Sequence, residues 1–126
     1  MSHDNDMPDG ELLVILRHGP HGSSWLREGL DVALVAAAFG RRVSLLFMGD
    51  GVLALLAGQG TGALGQKGTA PTLEMLEMYD IETLWVEAEA LARFGLDEHE
   101  LMLAPQALTA EAIAHAVETH PRVLTF

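Results

Sequence analysis

No cysteine occurs among the 126 residues. That absence excludes disulfides, Cys-ligated zinc, a thiolate nucleophile and any persulfide carried on this chain. Lysine occurs once, at Lys67, and no basic cluster exceeds Arg41-Arg42. Nucleic-acid binding draws most of its affinity from cations that neutralise phosphates. A chain of net charge −11, with eighteen acids against seven Lys and Arg, is therefore not expected to bind tRNA or DNA directly. An anionic membrane repels it for the same reason. Long apolar runs are missing too: the longest, Val32 to Phe39, is far short of the ~18 residues that span a bilayer. The start, Met1-Ser2-His3-Asp4-Asn5-Asp6, is acidic and polar and has no signal-peptide core. A soluble cytoplasmic protein is expected.

What is present is an apolar content of 49% in a length that suits one domain. Such a share fits either surface buried against other subunits or an alanine-rich composition. Residues 1–10 read as a disordered tail and 11–126 as a single domain. Leu12 to Leu16 is a continuous apolar run, the pattern of a strand buried on both faces. Ser23 or Ser24 is placed to cap a helix in which Leu26, Leu30, Leu34 and Ala38 recur every four residues. Gly40 ends it.

Val43 to Met48 gives a second buried strand, Gly49-Asp50-Gly51 a turn, and Val52 to Leu56 a short helix. Residues 57–70, with five glycines, read as a loop. Pro71 suits the first turn of a further helix. Its Leu73, Leu76 and Tyr79 are expected inward and Glu74 and Glu77 outward, with Met75 and Met78 suited to core or subunit-interface packing. Ile81 to Val86 is a third strand, Ala88 to Phe94 a helix stopped by Gly95, and Leu101 to Ala104 a fourth strand. Thr109 caps the last helix, with Leu108 and Ile113 as a hydrophobic staple across its start, and Arg122 to Phe126 is a fifth strand. Strands alternating with helices predict an α/β fold, a three-layer α/β/α sandwich around a mainly parallel five-stranded sheet. Ligands gather beyond the carboxyl ends of such strands. Here that rim comprises the turns at His18–Ser23, Gly49–Gly51, Glu87–Glu89 and Pro105.

Several motifs invite chemistry. Arg17-His18-Gly19 after a strand has the form of a histidine phosphatase turn, and a small phosphohydrolase is the alternative reading. That chemistry needs a second histidine and further arginines around the phosphate, and His99, His115 and His120 do not follow strands in turns. His18 and His21 are three apart, but zinc requires a third or fourth ligand. Asp50 resembles a receiver-domain phosphoacceptor, yet Arg17-His18 stands where an acidic pair belongs. Gly58, Gly60, Gly62, Gly65 and Gly68 precede no Gly-Lys-Ser/Thr, so no phosphate loop is formed. No metal, cofactor or catalytic residue is expected.

Taken in order, these blocks resemble the DsrE/DsrF-like family, on the side of its DsrF-type subunits. The likeness rests on Gly19-Pro20-His21-Gly22 with Arg27-Glu28-Gly29-Leu30-Asp31, on Asp50-Gly51-Val52 with Leu55-Leu56 and Gly58-Gln59, and on Tyr79-Asp80-Ile81-Glu82 leading to Trp85-Val86. Arg93-Phe94-Gly95-Leu96-Asp97 and the closing Val123-Leu124-Thr125-Phe126 extend it, so it spans almost everything after residue 11. The resemblance implies a non-catalytic subunit of a cytoplasmic sulfur-relay complex. TusB-like and TusD-like subunits would be its partners in a heterohexamer. The relay would run from a TusA-like donor to a TusE-like acceptor and on to 2-thiouridine at the tRNA wobble position. DsrEFH-type complexes use the same subunit shape in dissimilatory sulfur oxidation. The accepting cysteine is expected on a partner subunit. Candidate interface residues are His18, Pro20, His21, Gly22, Arg27, Glu28 and Asp50.

Overall fold

In a computed structural model, residues 11–20, 24–56 and 70–126 are described. The expected tail over 1–10, the His21-Gly22-Ser23 part of the first turn and all of the expected 57–70 loop but Ala70, which begins a helix, lie outside them. Five parallel strands form one sheet in the order β4-β3-β2-β1-β5. They are β1 (Leu12–Leu16), β2 (Val43–Phe47), β3 (Thr83–Glu87), β4 (Gln106–Leu108) and β5 (Arg122–Thr125). The helices are α1 (Trp25–Ala38), α2 (Ala70–Met78), α3 (Ala88–Phe94) and α4 (Ala110–Thr119). The α/β fold expected from the alternation is the one observed.

Strand order decides where each helix lies. From β1 to β4 the chain steps across the sheet in one direction, and right-handed crossovers put α1, α2 and α3 on a single face. The return from β4 to β5 passes back over the sheet, so α4 covers the other face. The two apolar clusters reflect this. Val14, Leu16, Leu45 and Phe47 pack with Leu30, Leu76 and Leu91 on the first face. Leu13, Ile15, Leu46 and Trp85 pack with Ile113 and Ala116 of α4 on the second. Alternate residues of β1 and β2 thus enter different clusters, and both strands are buried throughout.

Local chemistry sets most boundaries. Thr109 Oγ1 accepts from the Ala112 N–H at 3.2 Å, capping α4, and Leu108 and Ile113 share a cluster. Beyond α1 the chain turns at Gly40, where φ is +87°, and the Arg41 N–H donates back to the Ala36 carbonyl at 3.1 Å. Ser24 does not cap α1. Its hydroxyl donates instead to Glu28 Oε2.

Three expected boundaries shift. The third strand begins at Thr83 rather than Ile81, because Asp80 adopts φ +62° and the Ile81 N–H closes α2 by donating to the Leu76 carbonyl at 2.9 Å. The expected turn at Gly49–Gly51 joins the following residues in one 3-10 helix, Gly49–Leu55. Leu101 to Ala104 is not a strand. Leu103 and Ala104 have φ of +70° and +47°, which no strand tolerates, and Leu101 makes only an isolated antiparallel bridge to Leu56. The fourth strand follows Pro105 instead.

One buried polar contact ties α4 to the sheet. His120 Nδ1 donates to the Ala116 carbonyl at 2.7 Å, since a carbonyl can only accept, and Nε2 lies 3.0 Å from Ser44 Oγ on β2. The Trp85 ring meets this imidazole edge-on at 5.9 Å.

Candidate functional site

The carboxyl ends of β1, β2 and β5 meet at a pocket of about 450 Å³. Arg17 and His18 follow β1, Asp50 follows β2, Thr125 and Phe126 end the chain at β5, and Trp25 opens α1; these six line it. The backbone there is tightly tied. The Arg17 N–H donates to the Phe126 carbonyl at 2.8 Å, the Phe126 N–H to the Ile15 carbonyl at 2.8 Å, and the Met48 N–H to the Leu16 carbonyl at 2.9 Å. A further link crosses to β3, where Glu87 Oε1 accepts from the Gly49 N–H at 2.9 Å.

The side chains are more open than their backbone. Arg17, His18, Trp25 and Asp50 are all exposed, and the His18 and Trp25 rings stack at 5.9 Å and 25°. A cation, an imidazole and a carboxylate thus stand around an aromatic wall. This set suits polar and planar contacts. It holds no thiol, and among the described residues no group of three or more His, Asp or Glu is placed to hold a metal.

Of the residues singled out in the sequence, the fold brings His18 and Asp50 together. Pro20 is half-buried and lies outside the lining, as do Arg27 and Glu28, both exposed on the first turns of α1. His21 and Gly22 fall outside the described residues. The phosphatase geometry is not assembled among the described residues: His99 is exposed in a 3-10 turn, His115 is exposed on α4, and His120 is buried against Ser44. Trp25, Thr125 and Phe126 were not foreseen as lining residues. Placing β5 beside β1 requires the strand order, which apolar periodicity does not carry. An aromatic at the exposed first position of α1 was the signal available for Trp25.

Comparison with known proteins adds the following. The model of the DsrE/DsrF-like family matches residues 11–126. A protein of Vibrio parahaemolyticus named "Protein TusC homolog" is 37% identical over 116 residues, covering 92% of this chain and 98% of the relative. The "Intracellular sulfur oxidation protein DsrF" of Allochromatium vinosum is 34% identical over 92 residues, covering 73% and 68%. The crystal structure of the ychN protein from E. coli superposes with a TM-score of 0.80 at 22% identity, covering 92% of this chain and 98% of that one. This last likeness concerns the fold alone.

Proposed function

The chain belongs to the DsrE/DsrF-like family, and from that premise we propose that it is a TusC-like, non-catalytic subunit of a cytoplasmic sulfur-relay complex. In this reading it assembles with TusB-like and TusD-like subunits as a heterohexamer and supports 2-thiouridine formation at the tRNA wobble position. A TusA-like donor and a TusE-like acceptor engage the complex rather than this chain alone. One observation carries the proposal: a TusC homologue matches along 92% of a chain that has no thiol.

The chemistry supports a supporting role. Sulfur relay proceeds by thiolate attack on a persulfide sulfur, and the attacking thiol then carries the transferred atom. Methionine has no ionisable thiol, and Arg17, His18, Asp50 and Thr125 at the rim cannot replace one. The cysteine that accepts sulfur therefore belongs to a companion, and the rim of this chain is suited to shape its surroundings. His18, Pro20, His21, Gly22, Arg27, Glu28 and Asp50 are proposed as contact residues. No helix among the described residues is long and apolar enough to cross a membrane.

The likeness to DsrF favours a second setting, in which the same subunit serves a DsrEFH-type complex in dissimilatory sulfur oxidation. Deleting the gene separates the two, with loss of wobble thiolation expected for the first and retention for the second. Assembly is tested by co-expression with the TusB-like and TusD-like subunits. A stable stoichiometric complex is expected by native mass spectrometry. Recovery of this chain alone as a monomer from the same lysate contradicts the proposal.

A further inference from the structure

The opposite end of the sheet carries a second concavity. A groove of about 520 Å³ runs between α2 and the segment that precedes β4. Leu76 and Ile81 are buried beneath it, Leu84 and Leu103 are half-buried along it, and Glu77 and Glu82 stand exposed on its border. Met78, the next residue after Glu77, is 79% exposed. An unbranched, polarizable thioether left in water is adapted to an apolar partner of irregular shape.

The wall of this groove is preset. Leu103 and Ala104 both adopt left-handed backbone, and they are held from either side. The Met102 N–H donates to the Leu55 carbonyl at 2.8 Å, and Pro105 is buried. A wall already in its final shape does not add an ordering cost to binding.

Charge selects the occupant. Glu77 and Glu82 are exposed on the border, Glu74 and Asp80 are exposed in the same stretch of chain, and no Lys or Arg occurs from Thr72 to Ala92. Nucleic acid and anionic lipid are repelled by this border. A second copy of this chain brings the same charge of −11. An uncharged apolar ligand leaves the glutamates unanswered. A protein segment carrying Lys or Arg beside Leu satisfies both features. Its apolar side chain enters between Leu84 and Leu103, its cationic stems lie along apolar surface, and their heads reach Glu77 and Glu82 in charge-assisted hydrogen bonds. We propose that the groove between α2 and the Leu103–Ala104 segment docks a basic, leucine-bearing segment of another protein. The inference does not depend on the proposed complex, and it leaves the rim at the carboxyl ends of the strands free for a separate contact.

The test uses the full chain and a short capped peptide of leucines and arginines spaced by serines. Saturable binding by fluorescence anisotropy is expected, with amide shifts centred on Leu84, Leu103 and Ala104. The Glu77→Gln/Glu82→Gln double variant, altered only at exposed positions, is expected to bind about tenfold more weakly, near 1.4 kcal/mol. A peptide with its leucines changed to serine is expected to lose a similar factor, and one with its arginines changed to glutamate to show no binding. Four results overturn the proposal: no binding of the first peptide, shifts elsewhere on the molecule, equal binding by the double variant, or equal binding of the leucine-free peptide. A groove-dependent dimer of this chain in sedimentation also overturns it, since the occupant is then a second copy. Peptide binding without assembly in the co-expression experiment leaves the groove standing and defeats the proposed sulfur-relay complex. The converse pair of results does the opposite.

Discussion

Gly51→Ala is expected to destabilise the protein by about 3 kcal/mol or more, at the upper end of what overpacking a filled interior costs. Gly51 is buried in the 3-10 helix after β2, directly over the end of β1. A methyl group there meets the Leu16 carbonyl oxygen and lies 2.9 Å from its carbon and 3.4 Å from the Arg17 nitrogen. These are backbone atoms, so no side-chain rotation relieves the contact. The Leu16 carbonyl also accepts the Met48 N–H, and displacing it weakens the hydrogen bond that closes β1 on β2 at the rim. The comparison is Gly40→Ala. At Gly40 nothing lies within 4 Å of the added atom, and only the left-handed backbone penalises it, by roughly 1–2 kcal/mol. Urea denaturation of both variants measures the difference. Equal losses would show that close approach is not what requires glycine at position 51.

Trp85→Ala is expected to cost about 3–5 kcal/mol, the range for removing a large aromatic from a core. The reason lies in the uneven cover of the sheet. Among the described residues three helices pack on one face and α4 alone covers the other, and Trp85 occupies the space beneath it with Leu46, Leu108 and Ile113. Its ring also braces His120, which joins the end of α4 to Ser44. Truncation leaves a hole that one short helix cannot close without moving that hydrogen-bonded imidazole. A double-mutant cycle of Trp85→Ala with His120→Ala is expected to give a coupling of about 1 kcal/mol, as for other edge-to-face ring pairs. Phe39, 83% exposed, is the control, and its truncation is expected to change stability by less than about 0.5 kcal/mol. Similar losses for both aromatics would contradict the assignment of Trp85 to the core beneath α4.

Much of this architecture was legible in the residues because burial leaves a period. β1 is apolar at every position and β2 at all but Ser44 since both sheet faces are covered, and α1 shows its repeat at Leu26, Leu30 and Leu34 since one stripe faces the sheet, whereas Ala38 at its end is exposed. Boundaries were less legible where backbone conformation outweighs composition. Leu101 to Ala104 has the apolar content of a strand, but two successive left-handed residues forbid it, and the segment is tied instead to the end of the 3-10 helix through the Leu101 bridge to Leu56 and the Met102 hydrogen bond to Leu55. Ile81 looked like strand because it is apolar; its amide is used to end α2. The rim pocket was half legible. Arg17, His18 and Asp50 follow strands and could be placed at carboxyl ends, whereas Thr125 and Phe126 join them only because β5 pairs with β1. The acidic groove was not legible for a related reason, since Leu84 of β3 and Leu103 of the segment before β4 line it from separate stretches of the chain.

The central claim is that this chain serves sulfur relay without carrying sulfur. It is tested most directly by offering radiolabelled persulfide sulfur to the proposed complex, reconstituted from this chain with TusB-like and TusD-like subunits, then separating the subunits under non-reducing conditions. The label is expected on a companion and absent from this polypeptide, with the transfer failing when this chain is omitted. Stable label on this polypeptide, or full transfer in its absence, contradicts the account.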